Sequence, residues 1–383
     1  MKSHGMVKPK LQIAWAGVVS VLLLQVYFST PTMAETVLQT AGTAKPALSL
    51  EKSPEEMADA GAALVYASDP ALRNVEGGMA LLKKAAAGGN VQAMLTLGSL
   101  YLYGGAIQIN RARSLEYFEQ AAAAGDGTGL AQYGMMLMWG EQNWSRAQKI
   151  LVRAGEMGDS SAWVTLAEGA MYGYLGGGRY SRAKFDGYAA KARAAGQSRI
   201  DVLDAIRQMW GISMAADGPA AVAKLRAAAE KGNADAAKYL ISLLRDGNGM
   251  NVARDRTAAS EAVAKYTSLL TDSEVWQYTL SMQAAYASDD AAYALIAAEI
   301  AAHPELITKP LGGELQKANP RAAMYVLQAR LKAKGLYQGP LDGLAGKGTL
   351  RAMNAACDGL WDRAGCDDNL LRPDVIAALI SGG

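Results

Sequence analysis

The chain repeats itself about every 36 residues, and no other feature limits its possible folds so strongly. The segments KKAAAGGN, EQAAAAGDG, VRAGEMGDS, KARAAGQS and RAAAEKGNA recur in order, and each ends an alanine-rich run in a glycine: Gly89, Gly125, Gly158, Gly196 and Gly232, at intervals of 36, 33, 38 and 36. A helix that runs into glycine is stopped by the residue that takes positive φ at least cost. Asn90, Asp126, Asp159, Gln197 and Asn233 follow directly, and a polar residue there caps the next helix. Every period therefore holds one helix end and one helix start.

The helices show their buried faces in the same register. In QAMLTLGSLYLYGG, Ala93, Leu97 and Tyr101 lie at i, i+4 and i+8, while Gly98 lets a neighbouring helix come close. Ala236, Leu240 and Gly247 repeat the offsets of Ala93, Leu97 and Gly104, eleven residues from first to last. The second helix of the period appears in ARSLEYFEQAAAAG, with Leu115, Phe118 and Ala122 as its apolar stripe. Two short helices cannot bury their faces alone, so successive pairs must stack, and the expected fold is an all-α solenoid over residues 53–270. Aromatics at helical spacing (Tyr101, Tyr117, Tyr133, Trp139, Trp144, Trp163) and the methionines Met135, Met136 and Met138 are expected to pack between repeats rather than line a groove.

The ends of the chain differ from this array. Lys2, Lys8 and Lys10 precede an apolar run from Leu11 to Phe28, then Pro31 and the small residues around Ala34. This is the order of a secretory signal peptide, residues 1–34, cleaved after Ala34. An uncleaved membrane anchor is the alternative, since about 18 apolar residues just span a bilayer. Either way the remainder, beginning with a linker at 35–52, is expected in the periplasm. Lys+Arg 38 against Asp+Glu 36, a net charge of +2, leaves no electrostatic footprint for nucleic acid. Membrane contact is expected only if the N-terminal segment is retained. In an oxidising compartment Cys357 and Cys366, the only cysteines, are most economically a disulfide. A metal site needs more ligands than these and His303 supply, and no cofactor is expected.

The period is lost between Thr271 and Asn319. Ser273 and Asp289 are helix starts, and prolines and glycines around HPELITKPLGGELQKANP stop a helix. Residues 271–319 are therefore read as capping helices and a linker. The tail, 320–383, reads as helix, turn and helix. Leu327, Leu331 and Leu336 form an apolar edge, Gly335 is the stop, Pro340 to Gly343 make the turn and Thr349 opens the second helix.

Two resemblances follow from these residues. The pattern from Ala93 to Asp126, repeated from Ala236, is similar to Sel1-like repeats, relatives of the tetratricopeptide repeat. That implies a protein-binding scaffold on the solenoid rather than an enzyme. The tail resembles the small peptidoglycan-binding domain of envelope proteins. Leu327, Gln328, Leu331, Gly335, Leu336, Tyr337, Gly339, Leu341, Asp342, Gly343, Gly346, Thr349 and Ala352 fall on its pattern, while Ala345 and Ala356-Cys357 stand where that family has Phe and Phe-Gln. The resemblance implies association with peptidoglycan or another glycan, with Tyr337, Gln338, Asp342 and Arg351 as candidate contacts. Asp342 is also a turn residue that the fold itself uses. No nucleophile elbow, zinc cluster or histidine-based triad is visible. The function expected is a periplasmic, non-catalytic adaptor between envelope protein partners and the wall, in exopolysaccharide secretion or envelope organisation. The alternatives are a regulator that binds the sensor domain of a signalling kinase and, less favoured, a glycan-cleaving enzyme.

Overall fold

The computed structural model describes residues 52–67, 71–104, 106–360 and 364–382. The expected signal peptide and all but the last residue of the 35–52 linker lie outside them. Among the described residues all regular structure is helical, and no helix is long and apolar enough to cross a membrane. Six helix pairs follow one another. They are α1 (Pro54–Tyr66) with α2 (Val75–Ala87), α3 (Val91–Tyr103) with α4 (Arg111–Ala123), α5 (Gly127–Trp139) with α6 (Trp144–Glu156), α7 (Ser161–Met171) with α8 (Arg182–Ala194), α9 (Arg199–Trp210) with α10 (Gly218–Glu230), and α11 (Ala234–Asp246) with α12 (Arg256–Lys265). Short connections make the partners antiparallel. Neighbouring pairs meet through consecutive helices, as α4 meets α5 and α6 meets α7, and beyond these the odd-numbered helices also approach one another, α5 to α7, α7 to α9 and α9 to α11. They form the inner layer of the solenoid, and the even-numbered helices form the outer one.

All five glycines that mark the period have positive φ, from 76° at Gly196 to 100° at Gly158. Each closes its helix with the same pair of backbone bonds: at Gly89, its own N–H donates to Ala86 O (2.9 Å) and that of Asn90 to Ala85 O (3.0 Å). The residue four before each glycine is a buried alanine, Ala85, Ala121, Ala154, Ala192 or Ala228, so the turn and the packed face come from one short sequence. Asn90, Asp126 and Asn233 cap α3, α5 and α11 as expected. Asp159 and Gln197 do not cap. The positions after them, Ser160 and Ser198, begin α7 and α9 without a side-chain cap. Asp159 binds Ser161 instead, and the longer Gln197 reaches across to Ser160.

The expected stripe on α4 shifts by one residue. Ser114, not Leu115, is buried, and its hydroxyl donates to Gly98 O at 2.7 Å. A small side chain fits under α3 and finds a carbonyl there, which leaves Leu115 partly exposed. Tyr101, Tyr133, Trp163 and the three methionines are core residues, while Tyr117, Trp139 and Trp144 are partly buried against that core.

The C-terminal part contains α13 (Asp272–Tyr286), α14 (Asp290–Ala302), α15 (Lys309–Ala318), α16 (Pro320–Ala333), α17 (Lys347–Cys357), α18 (Ala364–Asp368) and α19 (Pro373–Ser381). Helix α13 starts one residue before Ser273, with Thr271 and Glu274 forming a capping box. It carries two apolar faces. Tyr278 and Met282 join the solenoid core, while Leu280 and Ala284 join a second core shared by α14 to α19. Residues just before Asn319, expected as linker, are instead part of this second core. Leu311 and Leu315 of α15 are buried among Leu327, Met353 and Ile376. The Gly312 backbone lies so close to α19 that a Cβ there would sit 2.5 Å from Ala377 Cα. A cut at Asn319 would therefore divide one core.

Candidate functional site

The inner layer ends in a row of aromatics. Tyr66, Tyr103, Trp139 and Trp210 are the last residues of α1, α3, α5 and α9, and Tyr172 directly follows α7. The aromatic stands fourteen residues after four of the period glycines, Gly89 to Tyr103, Gly125 to Trp139, Gly158 to Tyr172 and Gly196 to Trp210, while the same offset from Gly232 reaches Asp246. Tyr66 and Tyr103 are 57% and 43% exposed, and Trp139, Tyr172 and Trp210 are half-buried. Large rings at one register on successive repeats, each partly open, differ from the core ring two residues before Tyr103, where Tyr101 is 8% exposed. Of this row the sequence reading named only Trp139. The fixed fourteen-residue offset is the signal that marks the others.

Between α7 and α9 this edge becomes polar. Glu168 Oε2 lies 3.9 Å from Arg199 Nη2, with both side chains less than a fifth exposed. Burial pushes the Glu168 carboxyl upward and Arg199 opposes that shift. Burial, and after it the Glu168 charge, raises the Tyr172 hydroxyl, and burial pushes Tyr239 of α11 up to about 12. Both phenols therefore stay protonated as donors at neutral pH. Tyr174 closes the corner, stacked on Trp144 (5.2 Å between centroids) and edge-on to Trp139 (5.6 Å). The result is a rigid surface of rings and hydroxyls beside one half-buried ion pair, the composition of a recognition face.

The solenoid joins the C-terminal core through a buried cation. Arg245, 0% exposed, donates to Ser281 Oγ (2.6 Å) and pairs with Asp246 (2.6 Å) and with Glu314 of α15 (2.9 Å). Ser242 also donates to Glu314, and Lys238 holds Glu274 of α13 at 2.5 Å.

In the tail, the residues on the peptidoglycan-binding pattern converge on Gln328, which is buried on α16. Its Oε1 accepts from the backbone N–H of Asp342 (3.0 Å) and Gly343 (2.8 Å). Its Nε2 lies within hydrogen-bond distance of Asp342 Oδ1, Leu344 O and Thr349 Oγ1. Tyr337 is not a surface contact. It is 5% exposed and its hydroxyl donates to Pro340 O at 2.8 Å. Asp342 is half-buried and occupied inside the turn, where the Gln328 amide and the Leu344 N–H hold its carboxyl below the usual range. Gly343 takes φ 68° beneath the Arg321 carbonyl. Of the four candidate contacts only Gln338 and Arg351 are exposed, and Leu336, expected on the apolar edge, is 41% exposed. Thr349 lies inside α17 rather than at its start. Cys357 and Cys366 are bonded and buried, tying α17 to α18. Among the described residues no group of three or more His, Cys, Asp or Glu is arranged to hold a metal ion.

No protein-family model matches the chain, and no curated protein matches it. Among solved structures it is similar to a Sel1 repeat protein from Oxalobacter formigenes, with 21% identity and a TM-score of 0.41 over 57% of this chain and 89% of that one. It is also similar to a protective antigen with an SLR fold, present in uropathogenic Escherichia coli strains (19% identity, TM-score 0.38, 86% of this chain and 75% of that one). A third similarity is to an immunity protein from Pseudomonas aeruginosa (22% identity, TM-score 0.37, 59% and 84%).

Proposed function

We propose that this chain is an exported, non-catalytic adaptor of the Sel1-like repeat type, whose inner aromatic row grips a partner protein of the cell envelope. The observation that carries the reading is the register of Tyr66, Tyr103, Trp139, Tyr172 and Trp210, partly open on successive repeats. Rigid rings with a polar edge give large contact area at small entropic cost, and aromatics are enriched where interfaces concentrate their energy. Export is supported by the basic and apolar N-terminal sequence and by the bonded pair Cys357–Cys366. The resemblance of the tail keeps wall association within the proposal, with Gln338 and Arg351 as the exposed candidates, in a setting of exopolysaccharide secretion or envelope organisation.

The test is site-specific photo-crosslinking in the native envelope. A photoreactive residue at Tyr103 or Trp210 should capture one discrete protein, and the same group at exposed Lys231, in an outer turn, should not. Identical capture from all three positions sinks the proposal. For the wall, the full chain and its Gln338→Ala/Arg351→Ala form are pelleted with peptidoglycan sacculi. Retention lost in the double variant assigns the contact, and equal pelleting of both withdraws these two residues.

A further inference from the structure

Helix α8, in the outer layer, contains a glycine that packing does not require. Gly187 stands mid-helix, where glycine weakens the helix relative to alanine. A methyl group built on it would meet nothing within 4 Å. Every other glycine inside the solenoid helices has a neighbour where its Cβ would be, as Gly98 has Phe118 and Gly134 has Leu151.

Lys184 and Lys191 lie three residues before and four after Gly187, on the same helical face. Lys184 Nζ donates to Leu175 O at 2.5 Å and lies 3.4 Å from Gln148 Oε1 of α6. Lys191 Nζ sits 4.1 Å above the Trp163 ring. Among the described residues, the contacts of these two ammonium groups are with a carbonyl, an amide and a ring, and neither pairs with a carboxylate. Tyr188 fixes the wall beside them, its ring stacked on Trp163 at 6.2 Å and its hydroxyl accepting from Gln148 Nε2 at 2.8 Å. Ala183, Lys184, Gly187, Tyr188 and Lys191, all on α8, line a shallow, wide-open groove along this one helix.

We propose that this groove docks an acidic, extended peptide segment of a partner protein, a reading that rests on the chain being an interaction protein and names the chemistry of one partner. The two lysines are seven residues apart, roughly 10 Å along the helix. A segment in the extended polyproline-II conformation covers that distance in about three residues, one full turn, so side chains three positions apart return to the same face. The segment lays its backbone over Gly187, where no side chain blocks it, and places two carboxylates about three positions apart against Lys184 and Lys191. Because rings and amides already hold the lysines, little side-chain freedom is lost on binding.

The experiment is fluorescence anisotropy on the full chain with two labelled peptides, one with two glutamates three positions apart and otherwise alanine, the other with lysines in their place. The acidic peptide should bind and the basic one should not. Lys191→Glu and Gly187→Gln should each weaken binding about tenfold or more, the scale of a lost charge pair or a blocked contact. Gly187→Ala serves as the folding control, with a melting temperature at or above that of the parent. Binding that ignores both variants, equal binding of the basic peptide, or displacement by tripolyphosphate as efficient as by unlabelled peptide would overturn the proposal. Trp139→Ala and Trp210→Ala separate this result from the adaptor reading. Peptide binding that fails in them but survives the groove variants removes the groove and leaves the inner face. Peptide binding that responds only to the groove variants, without crosslinking at Tyr103 or Trp210, removes the inner face instead.

Discussion

Arg245 and Glu314 meet at 2.9 Å where the last solenoid pair rests against α15, and the arginine side chain is 0% exposed. Burial works against ionising Glu314, yet Lys317, Arg245 and the Ser242 hydroxyl outweigh it and hold the carboxyl below its ordinary value. Removing the guanidinium takes one of two cationic partners from buried Glu314, with Lys317 at 3.3 Å remaining, so Arg245→Ala should cost toward the lower end of the about 3–5 kcal/mol of a broken buried pair in denaturant unfolding. The sign with pH follows from the lowered carboxyl. The pair's contribution is present above the ordinary glutamate range and is lost as pH falls through the lower folded value. An Arg245→Ala loss below about 1 kcal/mol would show that the two cores are not joined here.

The Gln328 node gives a second expectation. Gln328→Ala leaves the Asp342 and Gly343 amides without their acceptor in a buried turn, a loss of about 2–4 kcal/mol with its cavity. The Gly343 amide should then exchange with solvent at the rate of an open loop, while amides in α3 and α5 keep their protection. Unchanged exchange at Gly343 would contradict the network.

Asp342 should set part of the acid limit of the tail. Its carboxyl titrates below the ordinary aspartate range because the ionised form accepts from Gln328 and Leu344. The stability it contributes is therefore present above about pH 4 and disappears as pH falls further. Asp342→Asn should flatten the acid side of a melting-temperature profile and leave the neutral side shifted by a constant. A profile of unchanged shape would show that other carboxylates dominate there.

Which of these features the sequence displays depends on how far apart the determining residues are. The period was legible because a helix end is local chemistry: Gly89 with Ala85 and Asn90 specifies a turn without reference to the rest of the chain. Tyr337 was misplaced because its burial depends on Gln328, on the preceding helix, and Leu311 because α13 turns separate faces to two cores. The aromatic row went unread for the opposite reason. Its fourteen-residue spacing is plain, but whether Trp210 or Tyr103 is open depends on the stacking of neighbouring inner helices, which no single period contains.

The Cys357–Cys366 bond closes a nine-residue separation. Restraining a loop of that length in the unfolded chain is worth about 2–3 kcal/mol in the chain-entropy account. Cys357→Ser/Cys366→Ser should lower the unfolding free energy by about that amount, and added reductant should reproduce the loss in the parent and do nothing further to the double variant. An unaltered parent under complete reduction would mean that the second core holds α17 and α18 without the bond.

The last expectation concerns how the repeats fit. A Cβ at Gly98 would lie 2.7 Å from the Phe118 ring, and Phe118 is itself 1% exposed. Gly98→Ala gains helix propensity, about 1 kcal/mol, but the ring has no free volume to yield and overpacking costs about 1–3 kcal/mol. The substitution should therefore be destabilising or at best neutral despite its favourable propensity. Phe118→Leu removes the clashing ring edge, so in that background Gly98→Ala should cost less than in the parent, and the double-mutant cycle should show coupling of about 1 kcal/mol. Additive effects would mean that α3 and α4 can slide apart, and that the glycine records helix flexibility rather than the close approach of one inner helix to its outer partner.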